Sequence, residues 1–292
     1  MIISRLEGGL GNQMFQYAAG RALANSLDTT LSFDLSFFKN STHSVTHRDF
    51  ELMCFNIIDN ISDLPNSIIT NFAIKIPFLF KIFGKNKLLK ERGVDFMPDF
   101  FQACDGTHLI GYWQSYKYFS DINDALFHEF QPRNAFCPQN EEFAQRLIVD
   151  EHSIALHIRC GDYLSLASAS NYHGNLDQSY YQDAINIMLM HDKHSKIIIF
   201  SDDIEWCKTH FNNFNNIDFA PSPIHAKPWE DMVLMSLCRG NIIANSSYSW
   251  WSAWLGDMRY GINCRRVIAP KRWFREQSIR SADRFPGHWT VI

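Results

Sequence analysis

Two short stretches place charged and small hydroxyl residues where an apolar run stops, which is where an open α/β sheet binds its ligands. The first is His157-Ile158-Arg159-Cys160-Gly161-Asp162-Tyr163, directly after the run at 153–156. Arg159 has the planar fork to grip a diphosphate and to neutralise the charge that grows on a departing phosphate. Asp162 can accept a proton or a hydroxyl hydrogen bond, and His157 counts as a further donor contact. The plain structural alternatives stay open: an Arg159–Asp162 ion pair that holds a loop, and a satisfied core histidine at His157. The second stretch, Asn245-Ser246-Ser247, follows the apolar run at 241–244 and opens a helical pattern. Backbone N–H groups and serine hydroxyls at such a start form a phosphate cradle, although Ser246 also makes an ordinary N-cap.

Two further stretches have the same logic. Glu7-Gly8-Gly9-Leu10-Gly11-Asn12-Gln13 lies between a first predicted strand and a helix. Gly9 and Gly11 let a backbone approach a ligand closely, and Asn12 and Gln13 offer amides to sugar hydroxyls. A purely structural turn would use the same glycines. The third glycine of a dinucleotide fingerprint is absent, because Met14 stands there. Glu7 carries a carboxylate into this turn and rivals Asp162 as a general base. Ser201-Asp202-Asp203 ends the run at 197–200, where Ser201 and Asp202 can hold ribose or base hydroxyls and either acid can cap the next helix.

No Asp-x-Asp triplet occurs, so the usual carboxylate clamp for a divalent metal on a sugar diphosphate is missing, and transfer without a metal is expected. His43 with His47, and His191 with His194, have ligand-like spacing but no cysteine or carboxylate set to complete a site, so they read as surface histidines. Asn245 opens a glycosylation sequon whose place at a strand end argues against that use.

The elements that must position these residues alternate strand and helix, the signature of parallel sheets with crossover helices. Strands are predicted at 2–6, 29–34, 109–113, 153–158, 196–200, 241–244 and 266–269. Helices are predicted at 12–27, 116–130, 141–148, 179–190, 203–210, 231–238 and 246–255, with a polar loop at 40–49. Residues 74–90 alternate apolar residues with lysines, which reads as a core-facing amphipathic helix first and as a membrane-surface contact second. A domain boundary is placed near Val149, giving units 1–149 and 150–292.

With 292 residues and 46% hydrophobic composition the chain can fill two cores. A net charge of −4 excludes a general polyanion binder, so no nucleic acid partner is expected. Arginines and lysines outnumber acids between 259 and 284, which reads as a solvated face or a local meeting place for phosphates or anionic headgroups. Seven scattered cysteines without a CxxC pair indicate thiols rather than a disulfide framework. No run reaches the roughly 18 apolar residues of a membrane span, and the apolar stretch at the N-terminus is too short for a signal peptide. A cytoplasmic protein is expected.

Taken in order, Gly8-Gly9-Leu10-Gly11-Asn12-Gln13-Met14-Phe15-Gln16-Tyr17, His157-Ile158-Arg159 with Asp162-Tyr163, Ser201-Asp202-Asp203, Asn245-Ser-Ser-Tyr-Ser-Trp-Trp and Ala269-Pro270-Lys271-Arg272-Trp273-Phe274 resemble the successive motifs of the α-1,2-fucosyltransferase family. The resemblance implies a GT-B architecture of two Rossmann-like domains facing across a cleft, with the acceptor on the N-terminal side and GDP-fucose on the C-terminal side. It implies inverting, metal-independent transfer of L-fucose to the 2-hydroxyl of a terminal galactose, with no cofactor. The family motif reads His-x-Arg-Arg-x-Asp, and Cys160 occupies the second arginine's place, so the phosphate role passes to Arg159 alone. A galactose-terminated, lipid-linked surface oligosaccharide is the implied acceptor, with peripheral contact to the inner membrane. Two rivals are kept. A transferase of the same fold using another donor or linkage would show itself on a panel of nucleotide sugars, and a non-catalytic sugar-binding module would bind GDP-fucose without releasing GDP.

Overall fold

The computed structural model describes residues 1–39, 49–58, 87–159, 176–211, 215–274, 276 and 283–292. The predicted loop at 40–49 lies outside these except for Asp49, and Asp162 and Cys160 lie outside them altogether. The chain divides into two compact units, Met1–Arg133 with Ala282–Arg284, and Asn134–Ser281 with Phe285–Ile292.

The first unit holds a four-stranded parallel sheet, β1 (Ile2–Arg5), β2 (Leu31–Asp34), β3 (Lys87–Lys90) and β4 (Thr107–Ile110), in the order β2-β1-β4-β3. Helix α1 (Leu10–Ser26) follows β1, and its buried Met14, Phe15, Ala18, Ala22 and Leu23 join the core. Gly20 lets α1 close on the sheet, since a Cβ there would lie 2.8 Å from Leu31 and 3.0 Å from Ser4. A short turn of helix, α2 (Ser36–Lys39), leaves β2. Most of the amphipathic helix predicted over 74–90 lies outside the described residues, and its last four residues form the strand β3 instead. Its four residues read Lys-Leu-Leu-Lys, and pairing at the sheet edge against β4, where lysines are well placed, decides the conformation.

The single helix predicted over 116–130 is broken into turns at Tyr116–Tyr118 and Ser120–Ile122 and a helix α3 (Asn123–Glu129). Phe119 leaves helical geometry at φ −139°, which lets Tyr118 and Phe119 both bury. The Tyr118 hydroxyl accepts from the Met97 amide at 2.9 Å. Tertiary contact overrides local periodicity here.

The second unit is a six-stranded parallel sheet in the order β10-β9-β8-β5-β6-β7. Its strands are β5 (Ser153–Ile158), β6 (Lys196–Ser201), β7 (Ile217–Phe219), β8 (Gly240–Ile242), β9 (Arg266–Ala269) and β10 (Thr290–Val291). Helices α4 (Pro138–Val149), α5 (Gln178–His191), α6 (Ile204–His210), α7 (Pro228–Leu237) and α8 (Ser247–Tyr260) accompany them. Ile154, Leu156, Ile197, Ile199 and Ile242 pack one face against Tyr181, Ile185 and Met188 of α5. Ala155, Ile198 and Phe200 pack the other against α4 and α7. Burial on both faces explains their continuous apolar runs.

The boundary therefore falls at Arg133 and not near Val149. Helix α4 belongs to the second unit because Phe143, Ala144 and Leu147 pack with Ala155, Phe200 and Leu234. In addition Asn140 Nδ2 and the Cys137 amide donate to Glu230 Oε2 at 2.8 and 3.1 Å.

Candidate functional site at the strand ends

In the second unit the strand order reverses once, between β5 and β8, and in the first it turns at both β1 and β4, the central pair. The carboxyl ends flanking such a reversal are the natural ligand position of an open parallel sheet.

In the second unit the residues picked from the sequence gather at the ends of three adjacent strands, β8, β5 and β6. Arg159 follows β5 and is half-buried, Asp202 follows β6 and is exposed, and Asn245 and Ser246 follow β8. His157, on β5, is held neutral, because burial and the Arg159 guanidinium depress its pKa to about 4 against a smaller opposing pull from Asp202. Its ring lies 5.8 Å from that of Tyr248. The Tyr248 hydroxyl accepts from the Met232 amide at 2.8 Å and donates to the Pro228 carbonyl, so the starts of α7 and α8 are tied together beside β5.

Several of these residues do structural work. Asp203 is the cap of α6, accepting from the Trp206 amide at 2.9 Å, and Ser201 Oγ accepts from the Asp203 amide at 3.0 Å. Ser246 caps α8 through the Tyr248 amide at 3.3 Å. Asn245 is buried and donates to the Trp273 carbonyl at 3.2 Å, which leaves its amide inaccessible as a glycosylation acceptor. Trp250, Trp251 and Trp254 are core residues, with rings 5.0 and 5.2 Å apart in sequence order. His191 and His194 are exposed. Among the described residues no three His, Cys, Asp or Glu side chains gather as a metal-ligand set. No described helix is long and apolar enough to cross a membrane.

In the first unit the glycine turn is built as a close approach. Gly8 sits at φ +78°, open to glycine at no cost, and Gly9 starts α1 without a side-chain cap. Gln13 is fully buried. Its Nε2 donates to the carbonyls of Gly8 and Asp49 at 2.9 and 2.8 Å, and its Oε1 accepts from the Glu51 amide at 2.9 Å. Gln13 thus fixes the loop that Asn12 presents. Gln16 works alike, accepting from the Glu7 amide at 2.9 Å and donating to the Gly111 carbonyl at 3.2 Å, which joins the ends of β1 and β4.

Asn12 is half-buried, and its Oδ1 accepts from Gln114 Nε2 at 2.8 Å. The Oε1 of Gln114 in turn accepts from the buried Arg284. Glu7 lies 3.4 Å from Arg5. Burial raises its carboxyl, with Asp34 adding to the rise, while Arg5 and the Tyr112 hydroxyl oppose it. Glu91 is raised by burial as well, against the amides of Trp113 and Tyr112 and the nearby Arg284. Behind the turn, burial would raise Asp34, but His108 at 3.2 Å and Ser36 bring it down to about 2.

Sequence reasoning did not single out Glu91, Tyr112, Gln114 or Arg284. Gly111-Tyr112-Trp113-Gln114 was within reach as the end of a predicted strand. Glu91 and Arg284 meet that strand end only through the fold.

Two α/β units, each with polar residues gathered at its strand-order reversal, define a protein of the GT-B glycosyltransferase class. The glycosyl transferase family 11 model matches residues 1–292. An α-1,2-colitosyltransferase of Escherichia coli is 35% identical over 100% of this chain and 99% of its own. The O-antigen biosynthesis glycosyltransferase WbnK of Escherichia coli is 35% identical over 93% of this chain and 94% of its own. Among solved structures, a mutant of Arabidopsis thaliana FUT1 in complex with GDP matches with a TM-score of 0.51 at 14% identity, covering 98% of this chain and 74% of that one. The chain belongs to glycosyl transferase family 11.

Proposed function

We propose that this transferase moves L-fucose from GDP-fucose to the 2-hydroxyl of a terminal galactose, with inversion at the anomeric carbon and without a metal. The observation that carries the reading is the gathering of Arg159, Asp202 and the Ser246–Ser247 helix start at the ends of the three adjacent strands β6, β5 and β8 in a family 11 chain. The 35% identity to an α-1,2-colitosyltransferase over the full length supports the linkage. A related deoxy sugar such as colitose, which lacks the 3-hydroxyl of fucose, is the second donor to test, for the same reason.

The second unit holds the nucleotide in this reading. Arg159 and the start of α8 neutralise the diphosphate as the sugar–phosphate bond breaks, and Ser201 and Asp202 meet the nucleoside. Buried Asn245 and half-buried His157 hold the shape around them. In the first unit Gly9, Gly11 and Asn12 approach the sugar, and Gln13 acts through the loop it fixes. The acceptor hydroxyl passes its proton to Asp162 or to Glu7. Glu7 gains from burial the raised proton affinity that suits a base. A pH–rate profile whose acidic limb survives Asp162→Asn and is lost in Glu7→Gln assigns the role to Glu7. The acceptor is a lipid-linked surface oligosaccharide met from the cytoplasm at the membrane.

Arg159→Ala tests the assignment. A charge-directed donor of this kind is worth about 3–4 kcal/mol, so kcat should fall by two to three orders of magnitude. Near-normal transfer by a folded Arg159→Ala protein would sink it, and undiminished transfer in excess EDTA is expected beside it.

A further inference from the structure

At the end of β4 the backbone of the first unit is held in an unusual shape. Trp113 is a fully buried, bulky residue at φ +55°, the left-handed region that such side chains rarely adopt. A single carboxylate holds it there. Glu91 Oε2 accepts from the Tyr112 amide at 2.6 Å, and Oε1 accepts from the Trp113 amide at 2.9 Å. The fit leaves room for no side chain at Gly111, where a Cβ would stand 2.4 Å from Glu91 Cβ. The consequence of this brace is the placement of Tyr112. The residue stays 44% exposed while Trp113 beside it turns inward, and its hydroxyl is near enough to the Glu7 carboxylate to oppose the rise in its pKa.

An exposed aromatic side chain whose backbone is pinned costs little further ordering when a ligand lands on it. It lies at the strand-order reversal of its unit, beside Glu7 and the Asn12–Gln114 amide pair. Pyranose rings have one face of C–H groups and a rim of hydroxyls. The former suits an aromatic ring, and the latter suits fixed carboxylates and amides.

We propose that Tyr112 is the stacking platform of an acceptor-sugar subsite in the first unit, with Glu7 and Asn12 addressing the sugar's hydroxyls. Glu91 is the positioning residue that sets the platform. The subsite deepens the transferase reading and rests on it for the identity of the sugar, a β-galactoside.

Binding is measured apart from turnover. Saturation-transfer NMR with methyl β-galactoside is run on the wild type, Tyr112→Ala, Tyr112→Phe and Glu91→Gln, with calorimetric GDP binding on each as a check of the other unit. Tyr112→Ala should weaken galactoside binding about tenfold, equivalent to about 1.4 kcal/mol, and leave GDP affinity unchanged. Tyr112→Phe keeps the ring and should keep most of the affinity. Glu91→Gln places an N–H against an amide N–H and should weaken the galactoside as Tyr112→Ala does, again without touching GDP. Equal galactoside binding in the wild type and Tyr112→Ala overturns the subsite, as does a wild type that binds no galactoside. A wild type that binds galactoside through Tyr112 but transfers nothing to it leaves the subsite standing and overturns the transferase reading.

Discussion

Gly111→Ala should damage the protein out of proportion to one methyl group. The new Cβ would lie 2.4 Å from Glu91 Cβ, 2.7 Å from Glu91 Oε2 and 3.1 Å from the Trp113 ring, all below ordinary contact. Glu91 Cβ is tied to its own backbone, whose amide donates to the Ile110 carbonyl at 2.8 Å, so β3 and β4 must part locally or the carboxylate must leave. Leaving breaks the two hydrogen bonds to the Tyr112 and Trp113 amides at 2.6 and 2.9 Å. Hydrogen bonds to a charged group contribute about 1.5–3 kcal/mol each, so the loss is about 3–6 kcal/mol before any relaxation. At about 2–4 °C per kcal/mol, the melting temperature should fall by about 6 °C or more. Differential scanning calorimetry measures it, and Glu91→Ala supplies the comparison. Because both changes remove the same brace, the double variant should melt within about 2 °C of the worse single one. A Gly111→Ala protein that melts with the wild type would refute the reasoning, and so would additive losses in the double variant.

In the second unit Gly256→Ala should cost about 3–5 kcal/mol, seen in urea unfolding. A Cβ there would overlap the Arg265 guanidinium, which is fully buried on the Ala253 carbonyl at 3.0 Å, on Asn241 and 3.6 Å from Asp257, so evicting it breaks these contacts and leaves Asp257 to His288 and Trp289 alone. His157 makes stability depend on pH. Its folded pKa of about 4 lies below the ordinary histidine value of 6.5, so its contribution is whole above pH 6.5 and is lost as pH falls towards 4. That difference amounts to about 3 kcal/mol, and the drop between those pH values should shrink by about that much in His157→Phe. Equal drops in the two proteins would remove His157 as the cause.

The parts of the fold legible in the sequence are those where local pattern and burial agree. The strands Ser153–Ile158 and Arg266–Ala269 stand where their apolar runs predict, because both faces are covered. The strand ends that carry Arg159, Asp202 and Ser246 were visible for the same reason. The edge strands Lys87–Lys90, Ile217–Phe219 and Thr290–Val291 were not, since two to four residues carry no period and the neighbour decides their form. Helix α4 could have packed on either unit, and partners distant in sequence settle which, Leu234 in the core and Glu230, 90 positions from Asn140. The brace around Tyr112 escaped for a related reason. Glu91 lies 22 residues from Trp113, and Arg284 lies 170 from Gln114, so neither contact leaves a local trace.

The central claim is that this family 11 chain transfers a 6-deoxy sugar from a GDP donor to the 2-hydroxyl of galactose. Its most direct test is incubation of the purified protein with GDP-fucose or GDP-colitose and a β-galactoside, with GDP release followed in time and the product linkage read by NMR. We expect acceptor-dependent GDP release and a product whose galactose 2-position carries an α-linked deoxy sugar. GDP release that ignores the galactoside, or a product linked elsewhere on the acceptor, would contradict it.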